Sequence, residues 1–86
     1  MGNLKELFAI PNLDAIIRST ALSASKRWFV TGGDDGVVRV WDAVTKKERT
    51  SFTGHSGPVH SLNLSPDEKL VASGGEDGTI RLWQLP

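Results

Sequence analysis

One segment of the chain occurs twice, with an offset of 42 residues between Trp41 and Trp83. The first copy reads WFVTGGDDGVVRVWD over residues 28–42, and the second reads LVASGGEDGTIRLWQ over residues 70–84. Each copy holds a Gly-Gly pair, an Asp-Gly dipeptide, an arginine and a tryptophan at matching positions. A repeat of about 40 residues is typical of small β units that bury their faces only against neighbouring units. The offset therefore predicts an all-β repeat protein.

Turn residues divide each copy into short strands. Asp35-Gly36 is flanked by β-branched and aromatic residues, which is the strongest short-range hairpin signal. Ser65-Pro66-Asp67 and Asp77-Gly78 supply the turns of the second copy. Lys26 and Glu68 follow equivalent turns where glycine would relieve left-handed strain, so a penalty of about 1 kcal/mol is expected there. The predicted strands are 28–32, 37–42, 48–52, 59–64, 69–73 and 79–84.

The segment before Pro11 fits two kinds of element. Its apolar residues would lie on one side of a short helix that Pro11 ends. The repeat instead predicts a strand over residues 4–10, equivalent to a strand over residues 46–52. This alignment matches Lys5 with Lys47, Glu6 with Glu48 and Ile10 with Phe52. We therefore predict the strand.

Composition excludes several classes of protein. The net charge is zero and the ten basic residues are scattered, so we expect no nucleic-acid partner. The chain has no cysteine, which excludes disulfides and zinc–thiolate sites. It lacks an apolar run of about 20 residues and the pattern of a signal peptide, so we expect no membrane association and a cytoplasmic or nuclear location.

The run from Phe52 to Gln84 resembles a WD repeat in its Gly54-His55, Ser65-Pro66-Asp67, Ser73-Gly74, Asp77 and Trp83. The resemblance implies a hydrogen-bonded tetrad of histidine, serine or threonine, turn aspartate and tryptophan. In this chain the tetrad would comprise His55, Ser73, Asp77 and Trp83. The first copy keeps only Thr31, Asp35 and Trp41, because Leu13 stands at the histidine position. We expect the first unit to be the less stable one.

The resemblance also implies β-propeller blades of four antiparallel strands, two blades per chain. Residues 1–86 would form one blade from 4–10 with 15–42 and another from 46–52 with 59–84. Propellers typically have about four to eight blades, so a longer parent chain or further copies of this chain would complete the ring. We expect a homotetramer of eight blades, with a trimer or part of a larger propeller as the alternatives. Strand 4–10 would then cover the open edge of strand 79–84 in a neighbouring copy.

The acid pairs Asp34-Asp35 and Glu76-Asp77 do not favour catalysis, because each lies on a hairpin turn that is followed by glycine. His55 and His60 lack a third ligand for a metal. The glycines of SGGEDG lack the lysine of a phosphate-binding loop. The sequence therefore predicts neither an enzyme nor a metal or cofactor site.

The resemblance points instead to a partner-binding upper face. By position its residues would be Ile16, Arg18, Asp34, Pro58, His60 and Glu76. The favoured function is a protein-interaction scaffold whose upper face binds proteins or peptides. The alternative is a purely structural, self-assembling propeller module, natural or designed, that binds only copies of itself.

Overall fold

Seven β-strands form two antiparallel sheets in the computed structural model, which describes residues 16–85. The first sheet has the order β1-β2-β3-β4, and the second has the order β5-β6-β7. The first four strands are Ile17–Leu22 (β1), Trp28–Gly33 (β2), Val37–Asp42 (β3) and Glu48–Thr53 (β4). The other three are Val59–Leu64 (β5), Leu70–Gly75 (β6) and Ile80–Gln84 (β7). The prediction of an all-β fold built from antiparallel blades is confirmed.

The sheets and the sequence repeat are offset by one strand. β4 pairs with β3, so that Val38 lies opposite Phe52 and Val37 opposite Thr53. The sequence predicted that residues 46–52 form one blade with residues 59–84. In the structure β4 belongs to the first sheet, whereas β5, β6 and β7 form the second. The predicted strand 4–10 lies outside the described residues. No helix in the described part is long and apolar enough to cross a membrane.

The turns adopt the backbone conformations that their residues suggest. Gly36 and Gly78 have φ angles of 79° and 81°, the left-handed conformation that glycine adopts without penalty. Lys26 and Glu68 have φ angles of 62° and 61°, which confirms the left-handed conformation predicted there. Lys46, in the β3–β4 turn, has a φ of 64°, which the sequence did not predict.

The core lies between the inner faces of the two sheets. Val30, Val38 and Val40 of the first sheet are buried together with Val59 and Val71 of the second. Burial of each such side chain contributes about 1.5–3 kcal/mol to the free energy of unfolding. The two sheets therefore stabilise each other through a small, valine-rich interface.

The contact between the sheets is close where β1 and β2 meet β5. Ser19 Oγ donates a hydrogen bond to the Val59 carbonyl oxygen at 3.0 Å. A Cβ atom on Gly32 would lie 2.6 Å from Val59 Cγ1, so no larger residue fits there without a shift. Further along the interface, Glu68 accepts hydrogen bonds from the Ser25 amide at 2.9 Å and the Ser25 hydroxyl at 2.8 Å.

The outer face of the second sheet is exposed, although the matching face of the first sheet is buried. Val38 and Val40 are 0% and 1% exposed, whereas Ile80 and Leu82, 42 residues later, are 81% and 68% exposed. The inner face of the second sheet covers the valines, and no described residue covers the later pair. We call this outer surface the open face; it comprises Leu70, Ala72, Gly74, Ile80 and Leu82.

Candidate functional site

A chain of hydrogen bonds joins the second sheet to the loop that follows β4. Trp83 Nε1 donates to Ser73 Oγ at 2.8 Å, and Ser73 Oγ lies 2.7 Å from His55 Nε2. The other ring nitrogen of His55, Nδ1, lies 3.3 Å from Asp77 Oδ1. The His55 side chain is fully buried. All four residues of the predicted second-copy tetrad are thus linked, and their contribution to stability remains a prediction that mutation can test.

The bonding partners indicate which ring nitrogen of His55 carries a proton. An ionised carboxylate only accepts hydrogen bonds, so Nδ1 carries the proton that it donates to Asp77. Nε2 then accepts the hydroxyl proton of Ser73, and Ser73 Oγ in turn accepts the indole N–H of Trp83. In this tautomer every donor of the hydrogen-bond chain has an acceptor, so the buried polar groups are satisfied.

Asp77 holds the turn and the preceding loop together. It accepts hydrogen bonds from the Ser56 amide at 2.9 Å, the Thr79 hydroxyl at 2.7 Å and the Thr79 amide at 3.1 Å. These donors, led by the Ser56 amide, lower the pKa of Asp77 far below its usual value. Gly75 lies so close to the His55 ring that an added Cβ would clash with Nδ1. Gly75 of the SGGEDG segment therefore makes room for the tetrad.

The first copy contains only part of this arrangement. Trp41 Nε1 donates to Thr31 Oγ1 at 3.1 Å, as the repeat predicts. Asp35 instead accepts from the Val37 amide at 3.1 Å and from Arg39 Nη2 at 3.0 Å. Burial opposes ionisation of Asp35, but the Arg39 guanidinium and the Val37 amide outweigh it and lower the pKa of Asp35. Leu13 lies outside the described residues.

The six residues predicted for the upper face form two equivalent groups of three. Arg18 Nε donates to Asp34 Oδ1 at 3.0 Å, and His60 Nε2 lies 3.3 Å from Glu76 Oε1. Each pair joins the first strand of a sheet to the residue before the turn aspartate, and all four side chains are exposed. We call this surface the upper rim; its two groups are Ile16, Arg18 and Asp34, and Pro58, His60 and Glu76.

Backbone hydrogen bonds hold the two groups in the same geometry. The Asp34 amide donates to the Ile16 carbonyl oxygen at 2.8 Å, and the Glu76 amide donates to the Pro58 carbonyl oxygen at 2.9 Å. Ile16 is 61% exposed and adds an apolar surface next to the first ion pair. Within residues 16–85, no three histidine, aspartate or glutamate side chains are grouped so that they could hold a metal ion. The rim therefore offers an arginine–carboxylate ion pair, a histidine–carboxylate pair and an apolar residue.

The repeated arginine is a feature whose role the sequence reasoning missed. Arg39 bonds Asp35 and lies 3.5 Å from Glu48 through its Nε. Within residues 16–85, Arg81 at the matching position has a buried Nε without a hydrogen-bond partner, and Arg39 has a buried Nη1 that also lacks one. The recurrence of arginine at the offset of 42 residues was the available signal, but it does not reveal the difference in bonding.

Several proteins share short stretches of similar sequence with this chain. Ribosome biogenesis protein erb1 of Botryotinia fuckeliana is 51% identical over 35 residues, which are 41% of this chain and 5% of that protein. Protein TOPLESS of Arabidopsis thaliana is 48% identical over 33 residues, which are 38% of this chain and 3% of that protein. General transcriptional corepressor TUP1 of Saccharomyces cerevisiae is 33% identical over 53 residues, which are 62% of this chain and 7% of that protein. The chain thus spans only a small part of these relatives.

The repeat itself matches a known family over most of the chain. The family described as "WD domain, G-beta repeat" matches residues 9–42 and again residues 46–84. The two matches follow the repeat that Trp41 and Trp83 mark. They also agree with the antiparallel sheets and with the bonds around Ser73 and Thr31. The chain belongs to the WD40 repeat family.

Proposed function

We propose that this chain is part of a non-catalytic protein-interaction scaffold that binds protein or peptide partners through the upper rim. The observation that carries the proposal is the equivalence of Arg18–Asp34 and His60–Glu76. Both pairs are exposed, and both project from the same position of their sheets. Exposed ion pairs contribute only about 0–1 kcal/mol to stability, so folding alone gives little reason to repeat the arrangement.

The chemistry of the rim suits a polypeptide partner. Each pair offers a cation or a hydrogen-bond donor next to a carboxylate, and Ile16 offers an apolar contact. A peptide presents amide groups, charges of both signs and apolar side chains, which this mixture can match. Relatives named for ribosome biogenesis and transcriptional corepression support a role in macromolecular assembly, and they favour the nucleus over the cytoplasm.

The bonding of the acid pairs supports a non-catalytic role. Asp35 and Asp77 accept hydrogen bonds from turn amides, whereas Asp34 and Glu76 face Arg18 and His60. Every acid of the two pairs thus has a structural partner. His55, the buried histidine, is likewise engaged on both ring nitrogens.

Self-assembly is a second candidate function, and the open face favours it. Ile80 and Leu82 occupy positions at which the first sheet buries Val38 and Val40. Val59 is fully buried against the first sheet, whereas Ile17, 42 residues earlier, is 37% exposed. The β1 side of one copy could therefore cover the open face of another as β5 covers the first sheet. Four copies would then form a ring of eight blades, with three copies or a longer parent chain as the alternatives.

Selection of peptides from a displayed random library tests the rim. Full-length wild type, the double variant Arg18→Gln/Glu76→Gln and the control variant Lys47→Gln would each be measured against the enriched peptides. Lys47 is exposed and lies in the β3–β4 turn, away from the rim. We expect the double variant to lose roughly tenfold in affinity and the control to match wild type. Equal binding by all three proteins would remove the rim from the site, and failure to enrich any peptide would count against a scaffold.

A further inference from the structure

Two arginines lie beside the ring of Trp28, at the end of the first sheet opposite the upper rim. Trp28 begins β2, whereas Asp34 of the rim follows the other end of that strand. The guanidinium carbons of Arg27 and Arg49 lie 5.3 Å and 5.2 Å from the centroid of the Trp28 ring. Both arginines are exposed. One aromatic ring thus gathers two exposed positive charges.

A β-bulge in β4 contributes Arg49 to this cluster. The pairing of β3 with β4 shifts by one residue between Val40 and Trp41, and Arg49 is the extra residue of β4 with no counterpart on β3. A bulge changes the direction of the side chain that it carries, and bulges are common next to binding sites. Here the side chain of Arg49 reaches Trp28, although β2 and β4 are separated by β3 in the sheet.

Neither arginine of the cluster forms an ion pair with a carboxylate in the described part of the chain. Arg18 and Arg39, by contrast, each have an aspartate oxygen at 3.0 Å. The acid on the neighbouring strand, Asp42, is engaged by the turn that follows β3. Its Oδ1 accepts hydrogen bonds from the Val44 amide at 2.8 Å and the Thr45 amide at 3.0 Å. The guanidinium groups beside Trp28 therefore keep N–H donors available to an external anion.

The second sheet lacks this cluster, although it repeats the strands. The residues 42 positions after Arg27 and Trp28 are Lys69 and Leu70. Leu70 is 41% exposed and has no aromatic ring on which a cation could stack. The repeat thus folds at this position without an arginine–tryptophan cluster. Folding of the repeat does not account for the cluster, which is specific to the first unit.

An apolar cleft opens beside Arg49, between the two sheets. Trp28 and Val40 of the first sheet line it together with Leu85, which follows β7. Trp28 and Leu85 also pack against the valine core, so the walls of the cleft are attached to the most buried part of the molecule. We call the site formed by this cleft and the two arginines the lower cleft; it comprises Arg27, Trp28, Val40, Arg49 and Leu85.

We propose that the lower cleft binds a phosphorylated peptide, with the phosphate group bound by Arg27 and Arg49 and an adjacent apolar side chain packed against Trp28 and Leu85. Two guanidinium groups beside one ring repel each other, and a phosphate dianion replaces this repulsion with attraction. Guanidinium groups also donate paired hydrogen bonds to phosphate oxygens. The Trp28 ring holds both groups in place before the ligand arrives. This site is separate from the upper rim, and the proposal does not depend on the function proposed for the rim.

The make-up of the lower cleft favours a peptide over a nucleic acid. A nucleic acid binds along a row of cations that follows successive phosphates, whereas the net charge of this chain is zero. The two guanidinium groups gathered by Trp28 match a single phosphate. Recognition of phosphorylated peptides by arginine clusters uses one such group, and side chains next to it add specificity. The apolar wall beside Arg49 offers a contact for that neighbouring side chain.

Affinity selection from a degenerate library of phosphoserine peptides tests the lower cleft. The wild-type chain and the single variants Arg27→Gln, Arg49→Gln and Lys69→Gln would be measured against the enriched peptides by fluorescence anisotropy. Lys69 is the matched control, because it is exposed and takes the place of Arg27 in the second unit. We expect enrichment of peptides with an apolar residue beside the phosphoserine. Each arginine variant should lose roughly tenfold or more in affinity, and Lys69→Gln should match wild type.

Other probes establish what the cleft recognises. The enriched peptides without their phosphate, inorganic phosphate and a short oligouridylate should each bind roughly tenfold more weakly than the phosphopeptides, or worse. Equal binding of the unphosphorylated peptides would show that phosphate is not recognised. Equal affinity for inorganic phosphate would reduce the cleft to a non-specific anion site, and tighter binding of the oligouridylate would assign it to nucleic acid. Each of these three results contradicts the proposal.

The variants separate this proposal from the one for the upper rim. Wild-type affinity in both arginine variants would overturn the lower cleft as the binding site, and so would a library in which no phosphopeptide is enriched. Far-ultraviolet circular dichroism checks that each variant is folded, and replacement of an exposed arginine by glutamine should leave the fold unchanged. The rim variant Arg18→Gln/Glu76→Gln should bind the phosphopeptides like wild type. A loss of affinity in the rim variant equal to that of the arginine variants would reject the lower cleft.

Discussion

Phe52 of the first sheet stacks on Trp83 of the second, with planes only 14° from parallel and centroids 5.0 Å apart. Phe52 lies on β4, whose backbone is hydrogen bonded to β3 of the first sheet. The side chain of Phe52 therefore contacts one sheet while its backbone belongs to the other. Trp83 in turn donates to Ser73, which contacts His55 of the loop after β4. The stacked pair therefore links the core to the tetrad, and mutation of Trp83 affects both.

Trp83→Ala should destabilise the chain more than Trp41→Ala. Both changes remove a large side chain, which typically costs about 3–5 kcal/mol. Trp83→Ala also removes the stack with Phe52 and takes the indole donor from the Ser73–His55 pair. Urea unfolding of the two variants measures the difference. Equal losses in the free energy of unfolding would contradict a stabilising tetrad.

Asp77→Asn should remove a stabilising contribution that depends on pH. Hydrogen bonds from the Ser56 amide and from Thr79 lower the pKa of folded Asp77 far below its usual value. A lowered pKa contributes stability above the unfolded pKa of about 3.9, and this contribution is lost as the pH falls through the folded pKa. The gap in unfolding free energy between wild type and variant should thus be constant near neutral pH and shrink below about pH 4. Thr79→Val should move the loss to higher pH, and a gap that does not change with pH would disprove the assignment.

Gly32→Ala and Gly74→Ala form a matched pair that separates folding from assembly. A Cβ on Gly32 would lie 2.6 Å from Val59 Cγ1, so the alanine should destabilise the fold by about 1–3 kcal/mol. A Cβ on Gly74, at the open face, would meet only the Ser61 side chain, with Oγ at 2.6 Å. Gly74→Ala should therefore fold with a smaller loss but hinder a second copy from docking. Thermal unfolding and light scattering check the two effects, and normal assembly of Gly74→Ala would argue against docking at the open face.

Lys26→Gly and Glu68→Gly should differ in sign. Both residues have left-handed backbone, and glycine relieves about 1 kcal/mol of strain there. Lys26 is exposed, so its replacement should stabilise the chain by up to about 1 kcal/mol. Glu68→Gly loses two hydrogen bonds to Ser25, and this loss should outweigh the gain and destabilise the chain. Calorimetric unfolding measures both changes; stabilisation of equal size would show that the Ser25–Glu68 contact is unimportant.

Local signals in the sequence predicted most of the fold. Asp35-Gly36 and Asp77-Gly78 mark hairpins because the chemistry of a turn depends on adjacent residues. The strands beside these turns and the left-handed backbone at Lys26 and Glu68 follow from the same local rules. The positions of Arg18 and His60 were likewise readable from the repeat, and the structure pairs them with Asp34 and Glu76.

Features that depend on neighbouring units could not be predicted in this way. Val38 and Ile80 belong to the same pattern, yet one is buried and the other exposed, because among residues 16–85 a sheet packs over the first but not over the second. Arg39 and Arg81 differ for the same reason, since the partner of Arg39 comes from another strand. A sequence pattern describes what a side chain prefers, and burial depends on which unit lies beside it.

The offset between the repeat and the sheets also has a genetic consequence. The 42-residue repeat of the sequence does not coincide with one hydrogen-bonded sheet. The repeat copy that contains Phe52 begins with a strand of the first sheet and ends with a strand of the second. A tandem duplication of such a segment therefore adds a strand to an existing sheet and starts a new one in the same step. Each added copy would share a sheet with its predecessor, as β4 shares a sheet with β3 here. Such a gene can lengthen by whole segments, and backbone hydrogen bonds as well as side-chain contacts would join each new segment to the one before it.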